Sequence, residues 1–173
     1  TTRIELEAGT LKKDDSVAAN DRTSNHRTAR MLFAVEPSTS LLAEVNSTKN
    51  DYVIGTADNS TTQLLIGIKW NVSTQTSGEL KVGTENKDFT SSALNDADAG
   101  TWNATANWSP IDRTTFTIKA DSKLGDETGT GSYTENSNSS LKWQHNWSSQ
   151  YQSNVSYTTG QINYVNDPRS DDT

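Results

Sequence analysis

The chain has 173 residues, and its 15 Lys and Arg against 22 Asp and Glu give a formal charge of -7, which excludes a nucleic-acid partner held through its phosphates. Only 31% of it is hydrophobic and 62 residues are Thr, Ser or Asn, yet it carries five Trp, five Tyr and three Phe, so neither an ordinary globule nor a disordered chain fits. No apolar run approaches the roughly 18–20 residues of a membrane-spanning helix; the longest is Met31-Leu32-Phe33-Ala34-Val35.

Apolar and polar residues alternate along most of the chain, the period-two signature of strands with one dry face. A leading strand sets Ile4, Leu6 and Ala8 against Arg3, Glu5 and Glu7. A hairpin follows, running through Val35, the turn at 36–40 and Val45. The next strand puts Leu64, Ile66, Ile68 and Trp70 on one side and Gln63, Gly67 and Lys69 on the other, and Leu80 and Val82 return against Glu79 and Lys81. Trp102, Ala104, Ala106 and Trp108 then alternate with Asn103, Thr105 and Asn107, followed by Phe116, Ile118 and Ala120 against Thr115, Thr117 and Lys119. The last hairpin has Leu141, Trp143, Trp147, Val155 and Tyr157 against Lys142, Gln144, Asn146, Asn154 and Ser156. The unit repeats four times, with Val35, Trp70, Trp108 and Trp147 at steps of 35, 38 and 39. Nine strands of about nine to twelve residues are predicted.

Connections alternate in length. Tight turns fall at 36–40, 71–77, 109–113 and 148–152, and long polar links at about 12–25, 49–60, 88–99 and 123–135. Short turns on one rim and long loops on the other describe an all-β, antiparallel up-and-down meander forming part of a transmembrane outer-membrane barrel. In a bilayer every backbone group must pair within the protein, so a closed sheet can span where no helix can, and only its outer face need be apolar. The polar parity then becomes a lumen face carrying Arg3, Glu5, Glu7, Arg30, Glu44, Lys69, Glu79, Lys81, Asn103, Asn107, Lys119, Asp121, Lys142, Gln144 and Asn146. Trp70, Trp108, Trp147 and Tyr157 are expected at the lipid–water boundary. His145 breaks the pattern, lying on the apolar parity between Trp143 and Trp147. Soluble antiparallel sandwiches, solenoids and adhesins share period-two strands, so a secreted β-rich adhesin or surface-fibre subunit is the competing reading. It requires neither Trp at one rim nor unequal loops.

The segment Gly100-Thr-Trp-Asn-Ala-Thr-Ala-Asn-Trp-Ser-Pro-Ile-Asp-Arg-Thr-Thr-Phe-Thr-Ile-Lys119, with 129–133 and 141–157, resembles the beta-barrel porins associated with bacterial exopolysaccharide gene clusters. Their hairpins read aromatic-x-small-x-small-x-Trp, a Pro-containing turn with Arg-Thr, then an alternating strand. The likeness covers the whole chain in repeat style and is sharpest over residues 60–160. It implies passive export of a polysaccharide across the outer membrane of a Gram-negative bacterium, with membrane lipid, lipopolysaccharide, the polysaccharide and other export subunits as partners. It implies no catalytic residue. Single-chain bacterial barrels have an even strand number, and the chain closes on the polar run 166–173, so residues 1–173 are expected to be one wall segment of a larger barrel, of roughly 16 or more strands with a water-filled lumen.

Little else suggests chemistry. There is no Cys, and the two His residues are 119 positions apart, so neither thiolate nor Ser-His-Asp catalysis is expected, nor any cofactor. Asp96, Asp98, Asp126 and Glu127 lack EF-hand spacing and read as solvated loop acids rather than a metal site. With Asp14, Asp15, Asp21, Asp51, Asp58 and Asp88 they make an acidic rim, which would disfavour anionic solutes and could gather divalent cations.

Overall fold

The computed structural model describes residues 1–14, 21–53, 58–126 and 133–165. Among these, nine strands form one sheet in sequence order: β1 (Thr2–Lys13), β2 (Arg22–Glu36), β3 (Thr39–Tyr52), β4 (Asn59–Ser73), β5 (Thr76–Phe89), β6 (Ala97–Ile111), β7 (Thr114–Asp126), β8 (Tyr133–Asn146) and β9 (Gln152–Val165). Each pairs antiparallel with its neighbour, and β1 and β9 are the open edges. The polar run at 166–173 lies outside the described residues, as do Asp15 and Glu127.

The turns alternate as predicted. Two-residue turns at 37–38, 74–75 and 112–113 and a five-residue turn at 147–151 share one rim. The strands, however, are 12 to 15 residues long, so the links on the other rim are shorter than expected. Hydrophobic alternation stops where the outward side chains turn polar, but the ladder does not. Thus β2 and β3 stay paired through Thr23↔Asp51 and Asn25↔Lys49, well past the last apolar pair. A bilayer needs only about 9–11 residues per tilted strand, so the polar ends overhang an apolar band.

Directly paired residues share a face, so the ladders test the parity reading. One row runs Arg3, Leu32, Leu42, Gly67, Lys81, Asn103, Asp121, Asn138; the next runs Glu5, Arg30, Glu44, Leu65, Gly83, Thr101. The charged and amide residues of these central rows therefore occupy one side. On the other, Ile4, Leu6, Met31, Phe33, Leu41, Leu64, Ile66, Leu80, Val82, Trp108, Ile118 and Tyr157 stand exposed. The polar side is the concave one. Glu44, Glu85 and Lys87 on it are 3%, 3% and 2% exposed, and Arg30 on β2 comes within 3.4 Å of Glu79 on β5. Three strand spacings on a flat sheet would part those backbones by about 14 Å.

Two glycines permit this curvature. A Cβ on Gly67 would fall 2.1 Å from Leu80 O, and one on Gly83 would fall 1.8 Å from Leu64 O. Both obstacles are backbone of the neighbouring strand, so a side chain could enter only by unbending the β4–β5 pair. Gly83→Val should cost about 2 kcal/mol in urea-induced unfolding. An unchanged midpoint would show that the bend is not set there.

Leu32, Leu42 and Leu65 are an apolar cluster on the concave face, each 4–5% exposed. Leu32 and Leu42 are cross-strand partners, and Leu65 pairs with Glu44. They form a dry floor beside which Arg30 and Lys81 extend, so their burial comes from side chains on the same face rather than from a second layer.

Candidate functional site

The centre of the concave face is an ion network on four strands. Arg30 donates Nε to Glu44 Oε2 at 2.6 Å and places Nη2 against the same oxygen. Its Nη1 faces Glu79 at 3.4 Å and Glu5 at 4.0 Å. Lys81 Nζ bridges Glu44 at 3.0 Å and Glu79 at 3.3 Å, passing over β4 where Gly67 has no side chain. Asn46 Nδ2 donates to Glu44 Oε1 at 2.8 Å and to Gln63 Oε1 at 3.2 Å. Arg3 adds a contact to Glu5 at 2.6 Å. Three cations thus meet three carboxylates, so the network is balanced and presents no strong trap for either sign of charge.

The remaining polar-parity residues share this face without joining the network. Glu7 lies 3.7 Å from His26. Lys69 shares a row with Glu79 and Lys119, Asn107 accepts from Thr117 Oγ1 at 2.9 Å, and Asp121 accepts from Asn138 at 3.4 Å. Asn103 pairs with Lys81 and Asp121, Lys142 with Thr117, Gln144 with Thr115, and Asn146 with Gln152 at the short-turn rim. They pave the wall at intervals of two residues.

Sequence periodicity missed a second feature, at the long-loop half. The β6–β7 ladder ends at Trp102↔Ser122, while β6 stays paired to β5 up to Ala97 and β7 stays paired to β8 up to Asp126. The two strands fork there, with Thr101 Oγ1 donating to Ser122 O at 2.7 Å. Beyond the fork β7 is tied across the concave face to β5: Leu124 N donates to Glu85 Oε2 at 3.0 Å, and Lys87 Nζ donates to Gly125 O at 2.9 Å. Leu124 has the parity of exposed Ile118 yet is 6% exposed. The paired ends of β7 and β8, up to Asp126↔Tyr133, therefore form an inward arm. The one trace in sequence is the run of alternating charge on a single face of β5, namely Glu79, Lys81, Glu85 and Lys87, with Gly83 between.

On the apolar side the aromatic residues gather at the short-turn rim. Phe33, Trp70, Trp108 and Trp143 each stand three residues before the end of their strand. Trp70 lies over Gly78, where a Cβ would come 2.2 Å from its Cζ2, and Trp108 stacks on Phe116 at 5.4 Å. Trp147 is not the fourth member of this row. The last turn is five residues long rather than two, so equal sequence spacing carries Trp147 one residue past β8, where its Nε1 donates to Ser153 Oγ at 2.9 Å. Tyr157 sits deeper, opposite Leu141 and in the aliphatic band. His145, the parity exception, contacts Thr114 Oγ1 through Nδ1 at 2.7 Å and packs edge-on against Trp147 at 4.3 Å.

Of the loop acids, Asp96 accepts from Phe89 N at 2.8 Å and Asp98 from Asn86 Nδ2. Among the described residues, no three His, Asp or Glu side chains converge as a metal site. Among the described residues, no helix is long and apolar enough to cross a membrane. No curated protein and no solved structure matches the chain. The family described as "Putative beta-barrel porin 2" matches residues 6–173, and with its nine-strand antiparallel meander, polar on one face and apolar on the other, the chain belongs to that family of β-barrel porins.

Proposed function

We propose that this chain is wall of a bacterial outer-membrane pore, a passive conduit for an exopolysaccharide with no enzymatic step. The observation that carries the reading is the segregation of faces: exposed aliphatic and aromatic side chains on the convex side, balanced charges and amides on the concave side. A hydrated polymer slides along a surface that offers many replaceable hydrogen bonds and no net charge. Phe33, Trp70, Trp108 and Trp143 suit the lipid boundary at the short-turn rim, with lipopolysaccharide meeting the outer wall. β1 and β9 both start at the short-turn rim and run the same way, so antiparallel closure takes an odd number of further strands between them. That supports one wall segment within a larger, even-stranded barrel.

Expressed in a Gram-negative host, the full-length protein should fractionate with the outer membrane, shift on gels when boiled and form discrete conductance steps in planar bilayers. Removing the tether of the arm with Glu85→Ala and Lys87→Ala together should enlarge those steps. Recovery in the aqueous fraction without detergent would replace this reading with the secreted adhesin. A deletion strain that exports its polysaccharide normally would remove the polymer as cargo.

A further inference from the structure

The inward arm encloses a cleft of about 420 Å3 against β3–β5, within the roughly 300–1,000 Å3 typical of small-molecule sites. Its wall side is built of Asn46, Thr48, Asn50, Thr61 and Gln63, and its arm side presents Asn136. We infer that this cleft is a subsite for one uncharged sugar residue of a saccharide chain held in the pore, an assignment that rests on the conduit reading.

Three observations converge. First, Asn136 Oδ1 is buried and accepts no hydrogen bond among the described residues. An orphaned buried acceptor costs about 1–3 kcal/mol, so an occupant that brings a donor within reach of this oxygen removes that cost. Second, the wall is made of carboxamides and hydroxyls, which both donate and accept as vicinal sugar hydroxyls do. Ser24 Oγ donates to Asn50 Oδ1 at 2.6 Å and Asn50 Nδ2 to Asn59 Oδ1 at 3.0 Å, so these groups are held in place before anything binds. Third, three of the four charged side chains at the cleft are engaged elsewhere, Lys123 being the fourth. Glu85 and Lys87 bond the arm's backbone, and Arg22 Nη1 donates to Tyr52 Oη at 2.8 Å.

The test uses full-length protein in planar bilayers with three probes: neutral maltohexaose, acidic tetragalacturonate, and a polyethylene glycol of matching size that has no internal donors. Maltohexaose should interrupt the current with a saturable dose dependence, and the other two should not. Asn136→Leu and the isosteric Thr61→Val should each weaken that block about fivefold, scaled to each variant's own open-channel current, the loss of one hydrogen bond. Asn136→Asp, which keeps the acceptor, should retain more of it. Equal block by the glycol, stronger block by the acidic probe, or indifference to both substitutions would overturn the assignment. Saturation-transfer NMR on micellar protein separates the two readings: maltohexaose binding without conductance ends the conduit and keeps the subsite, and conductance without binding does the reverse.

Discussion

Replacing Arg30 by Met should lower the stability of the folded sheet by about 3 kcal/mol, the scale found when one partner of a buried ion pair is removed. Arg30 is the guanidinium that Glu44, Glu79 and Glu5 share, and Glu44 is only 3% exposed, so water cannot take its place there. Without Arg30, Lys81 would be left to serve both Glu44 and Glu79. Arg30→Lys should recover less than half of the loss, because an ammonium cannot present two donors to Glu44 while reaching Glu79. Adding Glu44→Gln to Arg30→Met should restore part of the stability, and a double-mutant cycle in urea would read the coupling as about 1–3 kcal/mol. If Arg30→Met stays within about 0.5 kcal/mol of the parent, the network is solvated and decorative, as surface pairs are.

Strands, their order and their two faces were legible in the sequence because a strand has period two and a charge on the wrong parity would be costly. Gln63, Lys69, Glu79 and Lys81 announce one side while Ile66, Ile68, Leu80 and Val82 announce the other, and the ladders pair them accordingly. Curvature was not legible, since period two says which side a residue takes and not how far that side bends. The contact from Arg30 to Glu79 depends on the bend at Gly67 and Gly83, which alternation treats as blanks. Strand length was underread for a related reason: outward residues such as Asn25, Lys49 and Asn86 lie past the apolar band, where alternation fades but backbone pairing continues. The inward arm was hidden because Leu124 keeps its parity with Ile118 while the backbone beneath it leaves β6 and crosses to Glu85. Counting residues between tryptophans placed Trp147 in the rim row because a longer last turn imitates the repeat step; counting back from the strand ends places Trp143 there.

The second large effect separates lipid from water at the convex face. Ile118, midway along the apolar band of β7, is 53% exposed and flanked by Ala106 and Leu141 on the neighbouring strands. Thr117, one residue earlier, faces the concave side and donates to Asn107. In water, Ile118→Arg would remove an exposed hydrophobe and cost nothing. Against hydrocarbon near the midplane it should cost about 2–4 kcal/mol, whereas Thr117→Arg, pointing into the aqueous side, should cost about the 1 kcal/mol of its lost hydrogen bond. Folding into phosphatidylcholine vesicles, followed by the heat-modifiable gel shift across a urea series, reads both variants on one scale. The sign of the difference between them carries the decision: Ile118→Arg the worse of the two places lipid against the convex wall, and Ile118→Arg equal to or better than Thr117→Arg, with soluble protein gained in plain buffer, places water there and ends the pore.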